Sequence, residues 1–124
     1  MDRRITILIA DRNPNVREFL KREMVSEDYR VICAEDAKSM FRLALAPFMV
    51  DVLILDPDLP DMEASDVLGK LGVQKPGLPV IIHSFSEENR CAFFLDSAVF
   101  IEKGGGSTEV IKRVLKEQIA ERIV

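Results

Sequence analysis

The sequence has few of the residues that build metal clusters, disulfides or nucleic-acid surfaces. Its 124 residues include two cysteines, one histidine and no tryptophan. Cys33 and Cys91 lack the CxxC or Cys/His spacing of a structural zinc site, so we interpret both as free thiols in a reducing compartment. Acidic residues outnumber basic ones by 21 to 17, which gives a formal net charge of -4. Direct binding of nucleic acid is therefore not expected, because it needs a basic surface.

Long apolar runs are missing as well. No stretch approaches the ~20 apolar residues of a membrane-spanning helix, so membrane insertion is not expected. The N-terminal segment contains Arg3, Arg4 and a short apolar run, but it lacks a cleavage-site pattern and leads directly into charged residues. We interpret it as a first strand rather than a signal peptide, and we expect a cytoplasmic protein.

Repeats and linker-like segments are also missing from the sequence. Hydrophobic residues make up 48% and charged residues 31%, a balance typical of globular domains rather than disordered chains. The triplet at 104–106, Gly-Gly-Gly, is too short to separate two domains. The sequence therefore predicts a single domain over residues 1–124.

What is present is a regular alternation of short apolar runs and helical patterns. Five runs rich in β-branched residues predict strands: Ile5 to Ala10, Tyr29 to Ala34, Val50 to Leu55, Val80 to His83 and Val99 to Glu102. Apolar residues at three- and four-residue spacing predict helices after the capping residues Asn13, Asp36 and Ser107, and shorter helices over Ser65 to Leu71 and Glu87 to Leu95.

This alternation predicts an α/β fold, a flavodoxin-like doubly wound sheet of five parallel strands in the order 2-1-3-4-5 with helices on both faces. The near-continuous apolar character of the strands agrees, because parallel strands are covered on both faces. Right-handed crossovers leave few other topologies. In such sheets the ligand site lies at the carboxyl ends of the strands, at strands 1 and 3.

Polar residues stand at that edge of the predicted sheet. They follow or end four of the strands: Asp11, Asp56, Ser84 and Lys103. An Asp after a strand is usually a turn or cap residue and a single Lys is usually solvated, so each residue alone is weak evidence. Together they predict one crevice with two carboxylates, a hydroxyl and an ammonium. A carboxylate can attack phosphorus, and that transfer needs positive charge near the phosphoryl oxygens.

With these residues the sequence resembles the receiver domains of two-component response regulators, in the CheY-like superfamily. The resemblance covers essentially the whole chain. Four stretches carry it, in order and at near-family spacing: ILIADRNPNVRE (7–18), DVLILDPDLPDM (51–62), PVIIHS (79–84) and FIEK (100–103).

The resemblance implies a chemical role for each residue of the crevice. Asp56 would be the phosphoacceptor, and Ser84 and Lys103 would contact the phosphoryl group. Asp11 would hold Mg2+ as part of an acidic pair, with the carboxylate of Asp56 and the backbone carbonyl of Asp58 as further ligands.

The resemblance also implies a switch and partners. Ser84 and Phe100 would report phosphorylation on the partner-binding face. The phosphoryl donor would be a sensor histidine kinase or a histidine phosphotransfer protein, and the chain would act with an output domain or as a homodimer. It would be a signalling phosphoacceptor that assists its own phosphoryl transfer, and not an enzyme in the wider sense.

The main departure from the family pattern is Arg12, which stands where receivers usually carry a second, metal-gripping acid. Two carboxylates (Asp11, Asp56) and two cations (Arg12, Lys103) then balance without a metal. We expect weak Mg2+ binding and slow or absent phosphorylation, with the guanidinium able to fork onto Asp56. The alternative is that Arg12 turns outward and that Asp11 suffices.

Smaller departures point the same way. Phe85 replaces a small residue beside Ser84, Gly104 replaces the proline that usually follows the lysine, and Ala64 replaces a glycine. The interval from 84 to 103 is about one helical turn shorter than usual, so the fourth helix should be short or irregular. Partner contacts on that face should differ accordingly.

Two other functions compete with phosphoacceptance. A pseudo-receiver would use the same fold as a binding module without phosphate, because Arg12 replaces a metal-binding acid. A flavin-binding flavodoxin-like protein would need a Ser/Thr-rich phosphate loop after the first strand, and residues 11–15 (DRNPN) lack one.

Overall fold

The computed structural model describes residues 4–46, 50–62, 67–85 and 98–123. Within these ranges the strands are β1 (Thr6–Ala10), β2 (Arg30–Ala34), β3 (Val52–Leu55), β4 (Val80–Ser84) and β5 (Ala98–Glu102). The helices are α1 (Pro14–Ser26), α2 (Ala37–Ala44), α3 (Val67–Gln74) and α4 (Ser107–Ile123). The predicted helix over Glu87 to Leu95 lies outside the described residues, as do Ala64 and Cys91. None of the described helices is both long and apolar enough to cross a membrane.

The strands form one parallel sheet in the order β2-β1-β3-β4-β5. This confirms the predicted fold class and strand order. β3 begins at Val52 rather than at the predicted Val50. Just before the strand, the side chain of Asp51 replaces a backbone carbonyl as the hydrogen-bond partner of β1. The backbone N–H of Asp51 donates to the carbonyl of Thr6 at 2.9 Å, and its Oδ2 accepts the N–H of Thr6 at 2.8 Å.

Two helices begin where the capping residues predict. The Asn13 Oδ1 accepts the backbone N–H of Asn15 at 2.8 Å, with proline at the first helical position, and Asp36 accepts the N–H of Ser39 at 2.7 Å. α2 has a second cap that the sequence did not reveal. The carboxylate of Asp61, from the loop after β3, accepts the N–H of residues 37 and 38 at 2.6 and 3.0 Å. α3 extends to Gln74, three residues beyond the prediction.

The sheet separates two apolar layers. One face of β1, β3 and β4 packs with α2 and α3, and its buried members are residues such as Leu8, Leu53, Ile82, Met40 and Leu71. The other face packs with α1 and α4 through residues such as Ile9, Ile54, Leu20, Ile111 and Leu115. Both faces of the central strands are therefore buried, which explains their continuous apolar sequence.

Burial in the layer next to α2 and α3 should contribute strongly to stability. Leu53 is 0% exposed in the central strand, whereas Val73 on α3 is 81% exposed. Leu53→Ala should lower the free energy of unfolding by about 2–5 kcal/mol, because it opens a cavity that the close-packed layer cannot fill. Val73→Ala should change it by less than about 0.5 kcal/mol. Urea denaturation of both variants tests this, and equal losses would contradict the assigned burial.

Candidate functional site

The four predicted polar residues lie together at the carboxyl edge of the sheet. Asp11 follows β1, Asp56 follows β3, Ser84 ends β4 and Lys103 follows β5. The sheet hydrogen bonding continues into this edge, since Asp56 N–H donates to Ala10 O at 2.7 Å and Lys103 N–H to Ser84 O at 2.8 Å. The parallel order of the strands thus converts four positions scattered over the sequence into one crevice.

The ammonium of Lys103 lies between the two carboxylates. Its Nζ is 3.0 Å from Oδ2 of Asp11 and 3.9 Å from Oδ2 of Asp56. All three side chains are buried: the lysine side chain is 8% exposed and the aspartate side chains 3% and 1%. The exposed ring of Phe85 lies over the lysine, with its centroid 5.4 Å from Nζ. Phe85 therefore flanks the crevice on the solvent side and contributes a cation–π contact.

Arg12 faces the crevice but does not form a bidentate pair with Asp56. Its Nε is 3.7 Å from Oδ2 of Asp56, its NH2 nitrogen is 3.9 Å from Oδ2 of Asp58, and its side chain is 56% exposed. A bidentate pair would need two short parallel bonds to one carboxylate. The shorter contact is made by the backbone, since Arg12 N–H donates to the same Asp56 oxygen at 3.2 Å. The guanidinium thus spans two acids at the mouth of the crevice. This arrangement is intermediate between the two expected from the sequence, a fork onto Asp56 and an outward-turned side chain.

Backbone donors hold the two buried carboxylates in place. Asp58 N–H donates to Oδ1 of Asp56 at 2.9 Å, and Asn13 N–H donates to Oδ1 of Asp11 at 2.9 Å. Burial raises the pKa of Asp11, although the hydrogen bonds from Asn13 and Lys103 act in the opposite direction. Arg17, which the sequence did not single out, donates from NH1 to the backbone carbonyl of Asp11 at 2.7 Å.

These groups are a poor fit to a divalent cation. Mg2+ sites usually combine carboxylate and carbonyl oxygens with water, and across the described ranges no group of three or more His, Cys, Asp or Glu side chains could hold a metal ion. The two buried carboxylates already face Lys103 and Arg12. The predicted ligand set of Asp11, Asp56 and the Asp58 carbonyl is thus crowded by positive charge.

The predicted switch residues lie on adjacent strands. Ser84 is buried at the end of β4, and Phe100 is half-buried in β5, opposite Ile82 in the strand register. Phe100 packs against the layer that faces α2 and α3. Their roles in switching remain predictions.

A second polar group lies beside the crevice. His83 is 4% exposed, and its Nε2 is 3.0 Å from Oγ of Ser107. The Ser107 hydroxyl donates to the carbonyl of Gly104 at 2.9 Å, which uses its only proton and assigns the imidazole proton to Nε2. Burial, with the nearby Lys103 charge, lowers the pKa of His83 to about 4.

Comparisons with known proteins agree on one family. The family model described as the response regulator receiver domain matches residues 7–123. The response regulator GtcR of Aneurinibacillus migulanus is 32% identical over 108 residues, which are 87% of this chain and 41% of that protein. The probable transcriptional regulatory protein TcrX of Mycobacterium tuberculosis is 36% identical over 78 residues, which are 63% of this chain and 33% of that protein. The chain thus spans less than half the length of either relative.

A solved structure supports the fold. The receiver domain protein from Clostridium thermocellum superposes with a TM-score of 0.82, covers 95% of this chain and 96% of its own, and is 18% identical in sequence. At that identity the likeness shows the shared fold.

The neutral His83 should make stability depend on pH. Its pKa is 6.5 when unperturbed and about 4 in the folded protein, so the unfolded chain binds the proton first as the pH falls. The free energy of unfolding should therefore fall from pH 6.5 towards pH 4, by up to about 1.4 kcal/mol per pH unit. The difference between the unaltered chain and His83→Leu isolates this effect from the carboxylates. Parallel stability–pH curves for the two proteins would contradict it.

Proposed function

This chain belongs to the response regulator receiver domain family, and on that premise we propose that it accepts a phosphoryl group on Asp56 and signals by a change in conformation. Receiver domains are signalling domains of two-component systems rather than metabolic enzymes. The observation that carries the proposal is the buried Asp56 carboxylate, whose Oδ2 lies 3.9 Å from Lys103 Nζ and 3.7 Å from Arg12 Nε.

The proposed reaction needs one bond to form and one to break. An oxygen of Asp56 attacks the phosphorus of a phosphohistidine, the N–P bond breaks, and the departing imidazole nitrogen takes up a proton. The product is an acyl phosphate on Asp56. Positive charge near the phosphoryl oxygens lowers the barrier to this transfer, and the two cations nearest Asp56 are placed to supply it.

Lys103 is the residue proposed to follow the phosphoryl group. In the resting site its closest partner is Asp11, at 3.0 Å, and its distance to Asp56 is longer. A phosphoryl group on Asp56 offers a stronger negative charge than a carboxylate, so the ammonium would turn towards it. Ser84, at the end of the neighbouring strand, would donate its hydroxyl hydrogen to the same group. The resulting shift at β4 and β5 would reach Phe100 and bias the domain between two states.

Arg12 is proposed to make the site less dependent on Mg2+. Receiver domains generally bind Mg2+, which supplies positive charge to the phosphoryl oxygens. Here a guanidinium already stands at the crevice mouth and opposes a divalent ion electrostatically. We expect weak Mg2+ binding and slower phosphorylation as the consequence.

The second candidate is a pseudo-receiver that binds its partner without phosphate. The charge balance favours it, because two carboxylates and two cations already neutralise the crevice. In this case Lys103 and Arg12 would hold the site in one state, and the domain would act as a binding module.

The proposed partners follow from the family. The phosphoryl donor would be a sensor histidine kinase or a histidine phosphotransfer protein. The relatives GtcR and TcrX are longer than this chain, so an output domain or a homodimer is proposed as the signalling target. The net charge of -4 favours a protein target over direct contact of this domain with nucleic acid.

Acetyl phosphate treatment separates the two candidates. With Mg2+ present, intact-mass measurement should show the gain of one phosphoryl group in the unaltered chain and none in Asp56→Ala, because Asp56 is the acid that contacts both cations among the described residues. Asp28→Asn is the matched control: Asp28 is exposed, and asparagine tolerates its φ of 68°. A mass gain that survives in Asp56→Ala would contradict the assigned acceptor. No gain under any Mg2+ condition would favour the pseudo-receiver.

Restoring an acid at position 12 should strengthen Mg2+ binding. Arg12→Asp changes the charge by two units at roughly 6 Å from a bound divalent ion, which amounts to about 2.8 kcal/mol, or roughly a hundredfold in affinity, even in water. Titration of Mg2+ against the amide NMR signals around Asp56 measures this. Arg22→Asp, the same charge change on the exposed side of α1, is the control. Tight, saturable binding near Asp56 in the unaltered chain would contradict the expected weakness.

A further inference from the structure

A cavity of about 330 Å³ lies between α1, the end of β4 and the start of α4. Its volume falls at the lower end of the range for small-molecule sites. Val16, Phe19 and Leu20 line it from α1, and Phe85 lines it from the segment after β4. His83 also lines it, from β4, one residue before Ser84. The exposed surface of the walls is mainly apolar, and polar side chains also line the cavity: Asn15, His83, Lys103, Ser107 and Thr108.

Exposed aromatic rings are concentrated at this cavity. The large hydrophobic side chains that are exposed among the described residues are Phe19, Val25, Val73 and Phe85, and both phenylalanines line the cavity. Phe19 is 45% and Phe85 73% exposed. Leaving apolar rings in water costs free energy, and grouped exposed rings around a concavity are typical of a ligand site.

The imidazole of His83 has one nitrogen without a partner. Nε2 donates to Ser107, and Nδ1 is buried with no hydrogen-bond partner among the described residues. With its pKa lowered to about 4, the ring is neutral at pH 7 and Nδ1 is an acceptor. A buried acceptor left without a donor costs free energy that a suitable ligand would recover. Because Nδ1 is enclosed, the imidazole ring would have to move for a ligand to reach it.

We infer that this cavity binds a small, flat, mainly apolar molecule with one hydrogen-bond donor, the chemistry of an indole or a phenol. The donor would satisfy His83, and the ring would pack between Phe19 and Phe85. An anionic ligand fits less well, because Lys103, the cation that lines the cavity, already pairs with Asp11.

Indole and benzofuran form a matched pair of probes, since they share a shape and only indole has an N–H donor. The sequence contains one histidine, so its ring nitrogen signals in 15N NMR are unambiguous. Indole should bind saturably and shift the Nδ1 resonance. Benzofuran should bind about tenfold more weakly, the value of one hydrogen bond, and leave Nδ1 unshifted. Equal affinities, or no saturable shift with indole, would overturn the inference.

Substitutions test whether indole binds in this cavity or on another apolar surface. Val16→Phe adds a ring inside the cavity and should abolish indole binding, whereas Val25→Phe adds the same ring on the exposed side of α1 and should not. His83→Leu should make indole and benzofuran bind equally. Circular dichroism confirms that each variant is folded before titration. Undiminished binding by a folded Val16→Phe protein would place the ligand elsewhere and overturn the inference. Binding is measured without phosphorylation, so the result is independent of the fate of Asp56.

Discussion

The contact of the Lys103 ammonium with two buried carboxylates is the interaction on which the rest of the site depends. Burial penalises charge on both carboxylates, Asp11 and Asp56, and the ammonium offsets part of that cost. The lysine lies 3.0 Å from one and 3.9 Å from the other, so it neutralises both only partly. When the charge on one carboxylate changes, the balance of forces on this shared cation changes as well. This makes the crevice suited to signalling rather than to permanent structural support.

Arg12 alters the electrostatics of this arrangement without altering the fold. Its backbone N–H holds Asp56 as any residue at that position could, while its guanidinium reaches towards Asp56 and Asp58. An acid there would attract a divalent ion, and a guanidinium repels it. The same backbone therefore supports a crevice with either a negative or a positive side chain at position 12. The family relationship alone does not reveal which state a given receiver occupies.

Two consecutive hydrogen bonds organise the region next to the crevice. His83 donates to Ser107, which donates to Gly104, so the segment after Lys103 is tied to β4 where the usual proline is replaced by glycine. These hydrogen bonds tie the start of α4 to β4, and the other imidazole nitrogen has no partner among the described residues. Lys103 lines the cavity beside His83 as well as the crevice. The two sites therefore share a side chain.

Much of the fold follows from short-range patterns. Apolar runs, helix caps at Asn13 and Asp36, and the alternation of strands and helices predict the sheet order, and the sheet order predicts that Asp11, Asp56, Ser84 and Lys103 converge. Boundaries were less accurate where a side chain competes with the ladder, as Asp51 does at the start of β3. The cap from Asp61 to α2 was not predictable, because its partners lie more than twenty positions away in sequence.

The amino-acid sequence by itself determined the fold class, the family and the set of residues in the crevice, because these depend on periodicity, capping and residue type. Only the tertiary structure decided that Arg12 spans two acids instead of forking onto one or turning away, and that His83 has a donor bond to Ser107 and an unpartnered nitrogen. These outcomes depend on distances of a few tenths of an ångström between segments far apart in the chain. Such distances are set by how the helices pack on the sheet, and no local pattern encodes them.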